Sequence, residues 1–354
     1  MRIAQVAPLA EAVPPRLYGG TERVVSWLTE ALVQQGHDVT LFASGDSSTS
    51  SKLVACCSQG LRLSGVQDQT ASHLVMLDEV LRREAEFDVI HLHIDLLPFP
   101  LFKHLFHKSV LTIHGRLDIP DFWPVYEAYP EMPLISISDD QRRPVPCDVN
   151  WLATVYHGLP QDICPFDSQG GDYLAFLGRI SPEKRPDRAI EIAKRTGVPL
   201  KIAAKVDKAD QEYYDSQIRP LLDGCDLVEF IGEVNEQEKC SFLGKARALL
   251  FPIDWPEPFG LVMIEAMSTG TPVIAWRNGS VPEVIADGES GFIVESMEEA
   301  AAAVEAATHM DRSAVRRHFE SRFTATHMAS AYVEAYQSLL DSAFVKKLHL
   351  VASA

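Results

Sequence analysis

The chain has 354 residues and a formal net charge of −17, with 46% hydrophobic and 23% charged residues. This length exceeds what one hydrophobic core usually supports and predicts two domains of roughly 150 to 180 residues each. The negative charge means that the molecule as a whole repels nucleic acid and anionic membrane surfaces, although it leaves room for a local basic patch.

Cysteine usage and hydropathy predict a soluble cytoplasmic protein. The first residues, MRIAQVAPLA, lack the apolar core of a signal peptide, and no apolar stretch approaches the roughly 18 to 20 residues of a membrane span. Six cysteines show neither a C-x-x-C pair nor a zinc-binding spacing. They are interpreted as reduced thiols: Cys56, Cys57, Cys147, Cys164, Cys225 and Cys240.

Strand-like runs alternate with helical patterns along the first half of the chain. After the first run, GTERVVSWLTEALVQQG places Val24, Leu28 and Leu32 four residues apart on one helical face. Apolar strands separated by amphipathic helices are typical of βαβ units and a parallel sheet. The predicted strands are RIAQVA, DVTLFA, KLVACC, DVIHLHI, SVLTIH, LISIS and ATVYH.

Residues 158–171, GLPQDICPFDSQGG, interrupt the alternation with Pro, Gly and polar residues and are predicted to be a linker. The strands YLAFLGR, LKIAA, LVEFIG, ALLFPI, TPVIAW and GFIVE follow, again with helices between them. The chain is therefore predicted to be an α/β protein with domains at 1–160 and 161–323 and a C-terminal segment at 324–354. In that segment a helix over 324–343 carries Met328, Tyr332, Tyr336 and Leu340 on one face.

The motif LYGGTERVV lies between the first strand and the first helix. Ligands of open parallel sheets bind beyond the carboxyl ends of the strands, and two such sheets facing each other form a cleft. Gly19 and Gly20 allow close backbone approach, and the helix N-terminus offers free N–H groups, which predicts an anion or phosphate site. The alternative is an ordinary turn in which Thr21 caps the helix.

Histidines follow two strands of the first half. His114 ends the run LTIH and is predicted to contact a substrate or leaving group, or else to pack at the strand end. His91 and His93 share one strand face, which could bind a metal, but no third ligand is evident and core roles are favoured. The chain contains no D-x-D, G-x-S-x-G, P-loop or H-E-x-x-H motif, so metal-chelating, covalent-nucleophile and zinc-hydrolase chemistries lack their usual signals.

The motif FLGRISPEKRP begins the second half. Arg179 lies at the strand end and Lys184 in the loop that precedes a helix. A guanidinium fork and an ammonium point charge together suit a pyrophosphate. The alternative is that both are solvated loop charges.

The motif EPFGLVMIEAMSTG combines a helix start with two acids. The amides of residues 259–261 are predicted to face a sugar or phosphate, and Glu257 and Glu265 to point towards the same ligand. Glu265 lies in an apolar run, and a glutamate is rarely buried without a partner. That partner would be a ribose diol or, alternatively, an Arg or Lys elsewhere in the chain. The candidate residues here are Glu257, Pro258, Phe259, Gly260, Leu261 and Glu265.

Together these motifs resemble those of the family-4 retaining glycosyltransferases, which have the GT-B architecture. The resemblance covers essentially the whole chain, and its most specific part is GRISPEK followed by the acid pair of Glu257 and Glu265. It implies two Rossmann-like domains facing a cleft, the first binding the acceptor and the second the donor, with a C-terminal helix that returns to the first domain.

The resemblance also implies a role for each motif residue. Gly19 and Gly20 would lie near the donor phosphates, and Arg179 and Lys184 would bind the pyrophosphate. The remaining assignments are Glu257 on the sugar hydroxyls, Glu265 on the nucleotide ribose and His114 near the transferred sugar.

The resemblance implies a retaining hexosyltransferase that needs no metal ion or other cofactor. In the implied mechanism, the leaving phosphate takes the acceptor proton on the same face, and domain closure about residues 158–171 excludes water. UDP-glucose is the favoured donor and GDP-mannose the next. The alternatives are a nucleotide-sugar epimerase, a sugar phosphorylase and a nucleotide-sugar-binding protein without activity.

The acceptor is expected to be a sugar, a lipid-linked molecule or a small molecule, with no nucleic acid and at most peripheral membrane contact. The segment FPLFKHLFHK, residues 99–108, is a small basic amphipathic candidate for such contact. The loop GRLDIPDFWPVYEAYPEMP contains four aromatic residues that either stack on an acceptor or form a packed lid: Phe122, Trp123, Tyr126 and Tyr129.

Overall fold

A computed structural model describes residues 1–16 and 19–352, and their side chains except that of Gln237 and those of 345–352. The chain forms two compact units. The first contains residues 1–158 together with the C-terminal segment that begins at Ala325, and the second contains Leu159–Thr324.

The first unit is built on a seven-stranded parallel sheet. Its strand order is β3-β2-β1-β4-β5-β6-β7, so the order reverses between β1 and β4. Ligands of open parallel sheets bind at such a reversal. The strands are β1 (Arg2–Val6), β2 (Asp38–Ser44), β3 (Lys52–Cys57), β4 (Val89–Leu92), β5 (Ser109–Thr112), β6 (Leu134–Ser136) and β7 (Trp151–Thr154).

Helices cover this sheet, which explains why its central strands are apolar on both faces. Ile3, Ala4 and Val6 of β1 are fully buried. In the first helix, Val24, Leu28 and Leu32 are buried, as their spacing predicts. The helices between these strands are α1 (Gly20–Gln34), α2 (Thr70–Arg82), α3 (Pro98–Leu101) and α4 (Trp123–Ala128).

The second unit contains a six-stranded parallel sheet of order β10-β9-β8-β11-β12-β13. Here the order reverses between β8 and β11, so the residues that follow these two strands meet at one edge of the sheet. The strands are β8 (Tyr173–Arg179), β9 (Leu200–Lys205), β10 (Val228–Gly232), β11 (Ala246–Phe251), β12 (Val273–Trp276) and β13 (Gly291–Val294).

Eight helices accompany this sheet among the described residues. They are α5 (Pro186–Thr196), α6 (Gln211–Tyr213), α7 (Arg219–Leu222), α8 (Glu236–Gly244), α9 (Leu261–Ser268), α10 (Val281–Val284), α11 (Met297–Ala307) and α12 (Arg312–Arg322). Every strand predicted from the sequence is present, most with bounds that differ by one to three residues.

The C-terminal helix α13 (Ala325–Ala352) packs along α1 and belongs to the first unit. Met328, Tyr332 and Tyr336 are buried, and Leu339 rather than the half-buried Leu340 completes the apolar face. The predicted fold class, two Rossmann-like parallel-sheet domains with a C-terminal helix that returns to the first, is confirmed.

Most of the predicted linker, residues 159–171, belongs to the second unit. Arg312 Nε donates to the carbonyl oxygen of Asp167 at 2.7 Å, and Arg316 Nη2 donates to that of Gln161 at 2.6 Å. The Pro and Gly content of the segment is therefore explained by an irregular path along helices α9 and α12, with its carbonyls bound by arginines. The chain passes from the first unit to the second at the start of this segment, between Gly158 and Leu159.

The prediction of six reduced thiols is wrong for two of them. Cys164 and Cys240 form a disulfide bond with a Cα–Cα distance of 5.2 Å, while the other four cysteines are free. The two residues are 76 positions apart in the sequence. Their pairing depends on the path of the 159–171 segment beside α8, which cysteine spacing does not reveal.

None of the described helices is long and apolar enough to cross a bilayer. In the basic amphipathic segment 99–108, the apolar residues Phe99, Phe102 and Leu105 are buried in the core of the first unit and so do not form an exposed apolar face. The four aromatic residues of the 115–133 loop are packed against the same core, with Tyr126 fully inside it. Of the two interpretations of that loop, the packed one agrees with the structure.

Candidate functional site

A cavity of about 440 Å³ lies in the first unit where its strand order reverses. His93 follows β4 and His114 follows β5, and both line the cavity together with Asp95. Thr21 from the first turn of α1 and Thr70 from the start of α2 also contribute. The carboxyl ends of the strands thus bring together polar side chains that are separated by up to 93 residues in the sequence.

The histidines form a buried hydrogen-bonded network. His93 Nδ1 lies 2.9 Å from His114 Nε2, and His93 Nε2 lies 2.7 Å from Gln5 Oε1. His91 binds Tyr336 and Thr112 through its two ring nitrogens, each at 2.7 Å. The expected core roles of His91 and His93 agree with these contacts. No group of three or more His, Cys, Asp or Glu side chains suited to a metal occurs in the described residues.

Burial keeps these histidines neutral. Desolvation lowers the pKa of His91 and of His93 well below 6.5, and it lowers that of His114 to about 3. An imidazole in the charged form would lose its hydration without gaining an opposite charge. His114, a predicted site residue, is therefore an uncharged hydrogen-bonding group.

Asp95 was not recognised in the sequence. It follows β4 in the run HLHID and lines the cavity beside His93 and His114. The side chain is open to solvent, yet the surrounding protein raises its pKa by desolvation. Its position just after a strand end was the signal that could have identified it, because the same rule selected His114.

The glycine motif lies at the start of α1. Gly19 is the N-cap residue and Gly20 the first helical residue, whereas Leu17 and Tyr18 of the motif lie outside the described residues. The alternative in which Thr21 caps the helix is wrong. A Cβ atom on Gly19 would lie 2.9 Å from Pro15 Cβ, so glycine is required there for packing. The first turn also holds the buried acid Glu22, whose pKa is raised by burial.

In the second unit, Arg179 lies at the carboxyl end of β8 and is surrounded by acids. Its Nη2 donates to Glu183 Oε1 at 3.1 Å, and its Nη1 lies 3.7 Å from Asp207 and 3.9 Å from Asp210. Lys205 also binds Asp207, at 2.8 Å, and this hydrogen bond lowers the pKa of Asp207. Arg179 is therefore held at the strand end by carboxylates.

Lys184 and Glu257, two predicted site residues 73 positions apart, form an ion pair. The short helical turn Pro182–Lys184 after β8 and the loop after β11 bring them together at the strand-order reversal. Their side chains are only 17% and 12% exposed. Lys184 Nζ also lies 5.0 Å from the centre of the Trp255 ring, close enough for a cation–π contact.

The backbone at Glu257 leaves no room for a side chain at Gly279. A Cβ on Gly279 would lie 2.3 Å from the backbone nitrogen of Glu257, and Ser280 donates to the Glu257 carbonyl at 3.0 Å. Gly279, with φ 56°, is not among the residues predicted from the sequence. Only a glycine both fits this contact and adopts this backbone conformation easily.

The remaining residues of this motif are arranged around the start of α9. Gly260 is the N-cap residue with φ 78°, and Leu261 begins the helix, so the predicted amides are present at a helix N-terminus. Pro258 lies in the turn before it. Phe259 is buried, and its carbonyl accepts a hydrogen bond from Ser280 Oγ at 2.8 Å. Phe259 can therefore reach a ligand through its backbone only.

Glu265 is paired with a lysine, as in the alternative in which its partner is an Arg or Lys elsewhere in the chain. Lys239 Nζ, from α8, lies 2.5 Å from Glu265 Oε1 and 2.5 Å from Glu236 Oε1. Glu265 is 8% exposed. Burial by itself lowers the pKa of Lys239, but Glu265 and Glu236 raise it above its ordinary value. Lys239 compensates the desolvation of Glu265, and no sequence motif identified it.

Two arginines that follow Lys184 in the sequence form further ion pairs. Arg185 and Arg188 are partly buried, and both bind Asp254, at 2.9 Å and 3.3 Å. Arg185 adopts a left-handed conformation with φ 53° between the 182–184 turn and α5. The loop that carries Lys184 is thus attached to the loop that carries Glu257 by a second set of ion pairs.

Two family profiles match the chain. Glycosyl transferases group 1 matches residues 167–322, and Glycosyltransferase Family 4 matches residues 18–137. Each match lies almost wholly within one of the two structural units.

Among curated relatives, a D-inositol 3-phosphate glycosyltransferase of Streptomyces scabiei is 31% identical over 191 residues, which is 50% of this chain and 40% of the relative. The chain thus spans less than half of that relative's length. The O-antigen chain mannosyltransferase C of Escherichia coli is 24% identical over 93% of this chain and 96% of its own.

Solved structures with a similar fold cover 96% of this chain. AviGT4, a glycosyltransferase involved in avilamycin A biosynthesis, has a TM-score of 0.71 at 23% identity, with 98% of that chain covered. Anabaena HepE, in complex with UDP and glucose, has a TM-score of 0.71 at 16% identity, with all of that chain covered. With both halves matched by profiles of one class and the fold shared along the whole chain, the protein belongs to the family-4, group 1 glycosyltransferases.

Proposed function

We propose that the protein is a retaining hexosyltransferase that moves a sugar from a nucleotide-sugar to an acceptor hydroxyl without a metal ion. The observation that carries the proposal is the cluster of Arg179, Lys184 and Glu257 at the strand-order reversal of the second unit. Two cations and one carboxylate suit the two ends of a sugar diphosphate, since the cations bind phosphate oxygens and the acid accepts hydroxyl protons.

For the donor, UDP-glucose remains the first choice and GDP-mannose the second. HepE, whose fold is similar, has been crystallised with UDP-glucose, whereas one relative matched along nearly all of its length is a mannosyltransferase. Glu265 accepts one cation through Oε1, and we propose that its carboxylate also binds the nucleotide ribose. The amides at the start of α9, near Gly260 and Leu261, would bind the same donor.

In the proposed reaction, the bond between the anomeric carbon and the phosphate oxygen breaks and a bond to the acceptor oxygen forms on the same face. The acceptor proton moves to the departing phosphate oxygen, so no protein nucleophile is needed. Arg179 and Lys184 stabilise the charge that develops on the diphosphate. When the donor binds, its diphosphate replaces carboxylates that contact Arg179 in the structure. These carboxylates belong to Glu183, Asp207 and Asp210. Glu257 orients the sugar hydroxyls.

The test is nucleotide release coupled to product analysis, with EDTA present throughout. An acceptor-linked product that keeps the anomeric configuration of the donor, formed in step with nucleotide, is expected. Substituting Arg179→Ala or Glu257→Gln should lower kcat by about 10²- to 10³-fold, the usual effect of removing one preorganised group. Arg195→Ala is the matched control, because Arg195 lies in the last turn of α5 and binds the exposed Glu191 and Glu298.

Each alternative function gives a different result in the same assay. An epimerase would interconvert donor sugars without releasing nucleotide, and a phosphorylase would require inorganic phosphate or a sugar phosphate. A protein that binds the donor but turns over none would be a binding module. Near wild-type turnover by both Arg179→Ala and Glu257→Gln would reject the assigned roles.

A further inference from the structure

The proton positions in the histidine network follow from the partners of His93. Gln5 Oε1 can only accept, so His93 Nε2, 2.7 Å away, carries the proton. Because His93 is neutral, its Nδ1 must accept, and His114 Nε2 therefore donates to it across 2.9 Å. The neutral His114 is left with an unprotonated Nδ1. Gln5 is itself oriented by Tyr336, to whose hydroxyl its Nε2 donates at 3.2 Å.

Two hydrogen-bond acceptors thus belong to residues that line the cavity of the first unit. His114 Nδ1 has no hydrogen-bond partner in the part of the chain that the structure describes. The same is true of the Asp95 carboxylate, for which no described residue supplies a hydrogen bond or an ion pair. A ligand that satisfies both groups must bring its own donors, as the hydroxyls of a sugar or cyclitol do.

The cavity offers little to an anion. No Lys or Arg occurs among its described lining residues, and its histidines are neutral. Both adjoining helix N-termini already hold acids. Glu22 lies in the first turn of α1, and Asp68 accepts the backbone N–H of Thr70 at the start of α2, at 2.9 Å. The positive ends of both helix dipoles are therefore already compensated.

We infer that this cavity binds a neutral polyhydroxylated acceptor through Asp95 and His114 and discriminates against a phosphate ester of the same molecule. The inference rests on the proposed function, because the ligand of this cavity is an acceptor only if the protein transfers a sugar. It specifies the chemical class of that acceptor. It contrasts with the phosphate ester in the name of one relative, a D-inositol 3-phosphate glycosyltransferase. A phosphate next to Asp95 would meet a like charge, and none of the described lining residues is a Lys or Arg that could offset it.

The inference is tested by binding to the full-length protein without any nucleotide-sugar. The probes are matched pairs, glucose and glucose 6-phosphate, mannose and mannose 6-phosphate, and myo-inositol and inositol 1-phosphate, measured by calorimetry and ligand-observed NMR. We expect at least one neutral member to bind at least tenfold more tightly than its phosphate ester. Asp95→Asn, which removes the charge and keeps the shape, should reduce that ratio by fivefold or more.

The matched control is Asp78→Asn, which removes an exposed acid of α2 that binds Arg82 and does not line the cavity. It should leave the ratio unchanged. Equal or tighter binding of the phosphate esters by the unsubstituted protein would overturn the inference, as would the failure of every neutral probe to bind. Selective binding of a neutral probe together with absent sugar transfer would reject the proposed function and leave the inference standing.

A second measurement tests the proton assignment itself. Long-range ¹H–¹⁵N correlation spectra of histidine-labelled protein identify which ring nitrogen of His114 carries the proton, with His114→Asn providing the resonance assignment. A proton on Nε2 is expected. In the Gln5→Leu variant, the proton should be distributed over both ring nitrogens of His114. A proton on Nδ1 in the unsubstituted protein would make His114 a donor towards the ligand and would contradict the inference.

Discussion

At the scale of single residues, Glu265 shows how a buried charge is accommodated. A carboxylate that is 8% exposed would cost several kcal/mol without a partner. Lys239 is that partner, and it is shared with Glu236. The apolar run around Glu265 predicted that some partner must exist. Its identity could not be predicted, because Lys239 belongs to another helix and has no motif of its own.

Because Lys239 binds two carboxylates, the loss of Lys239 and the loss of Glu265 should lower stability by different amounts. Lys239→Met leaves Glu265 buried without a cation and should destabilise the second unit by about 3 kcal/mol. Glu265→Gln leaves Lys239 bound to Glu236 and should cost about half as much. Urea unfolding of both variants measures the difference.

The control for this comparison is Lys201→Met, which removes one member of the exposed pair of Lys201 and Glu229. A change of less than about 0.5 kcal/mol is expected there, as for other exposed pairs. An equal loss of stability in Lys239→Met and Glu265→Gln would contradict the role given to Glu236.

At the scale of elements, the pairing of Lys184 with Glu257 follows from strand order. β8 and β11 are neighbours in the sheet although 66 residues separate their ends, from Arg179 to Ala246. The alternation of strands and helices predicted both strands, and the strand-end rule selected both motifs. The ion pair between them depends on packing at Gly279 and on the left-handed Arg185, neither of which the pattern of residues indicates.

The histidine network connects β4, β5 and α13 and should make the first unit sensitive to acid. Desolvation lowers the pKa of His91 and His93 well below 6.5 and that of His114 to about 3 in the folded protein, whereas the unfolded chain titrates near 6.5. The unfolded state therefore binds more protons below that pH. Stability is at its full value above pH 6.5 and should fall by up to about 1.4 kcal/mol per pH unit per histidine below it.

This pH dependence is measured by urea unfolding between pH 7.5 and 5.0. The slope should decrease in His91→Gln, which removes one of the buried titrating groups. It should remain unchanged in His309→Gln, because the side chain of His309 is 77% exposed. Identical slopes for the unsubstituted protein and His91→Gln would show that the network does not control acid stability.

The disulfide between Cys164 and Cys240 attaches the start of the second unit to α8. Reduction, or the Cys164→Ser substitution, should lower the stability of that unit by about 2 to 4 kcal/mol, as for other bonds that close long loops. Thermal unfolding with and without a reductant measures the loss. Cys225→Ser, at a free cysteine, is the control and should still respond to the reductant. If the reductant has no effect on the unsubstituted protein, the bond does not stabilise this unit.

At the scale of the whole molecule, the sequence was sufficient for the fold and for the position of the motifs, but not for their contacts. Periodicity of apolar residues predicts parallel sheets wherever helices cover both faces, and all thirteen predicted strands are present. Contacts between distant residues are a property of packing and leave no local pattern. This is why the disulfide, Lys239 and the partners of His93 emerge only from the structure.

The proposed function depends on a nucleotide-sugar site that needs no metal ion. The most direct measurement is a thermal-shift panel of UDP, GDP, ADP, CMP and their sugar conjugates in the presence of EDTA, repeated with Arg179→Ala. A nucleotide at about 100 times its Kd should stabilise the protein by roughly 2.7 kcal/mol. We predict a selective shift with UDP or GDP that is lost in Arg179→Ala. No shift with any nucleotide, or a shift that appears only when a divalent metal replaces EDTA, would contradict the claim.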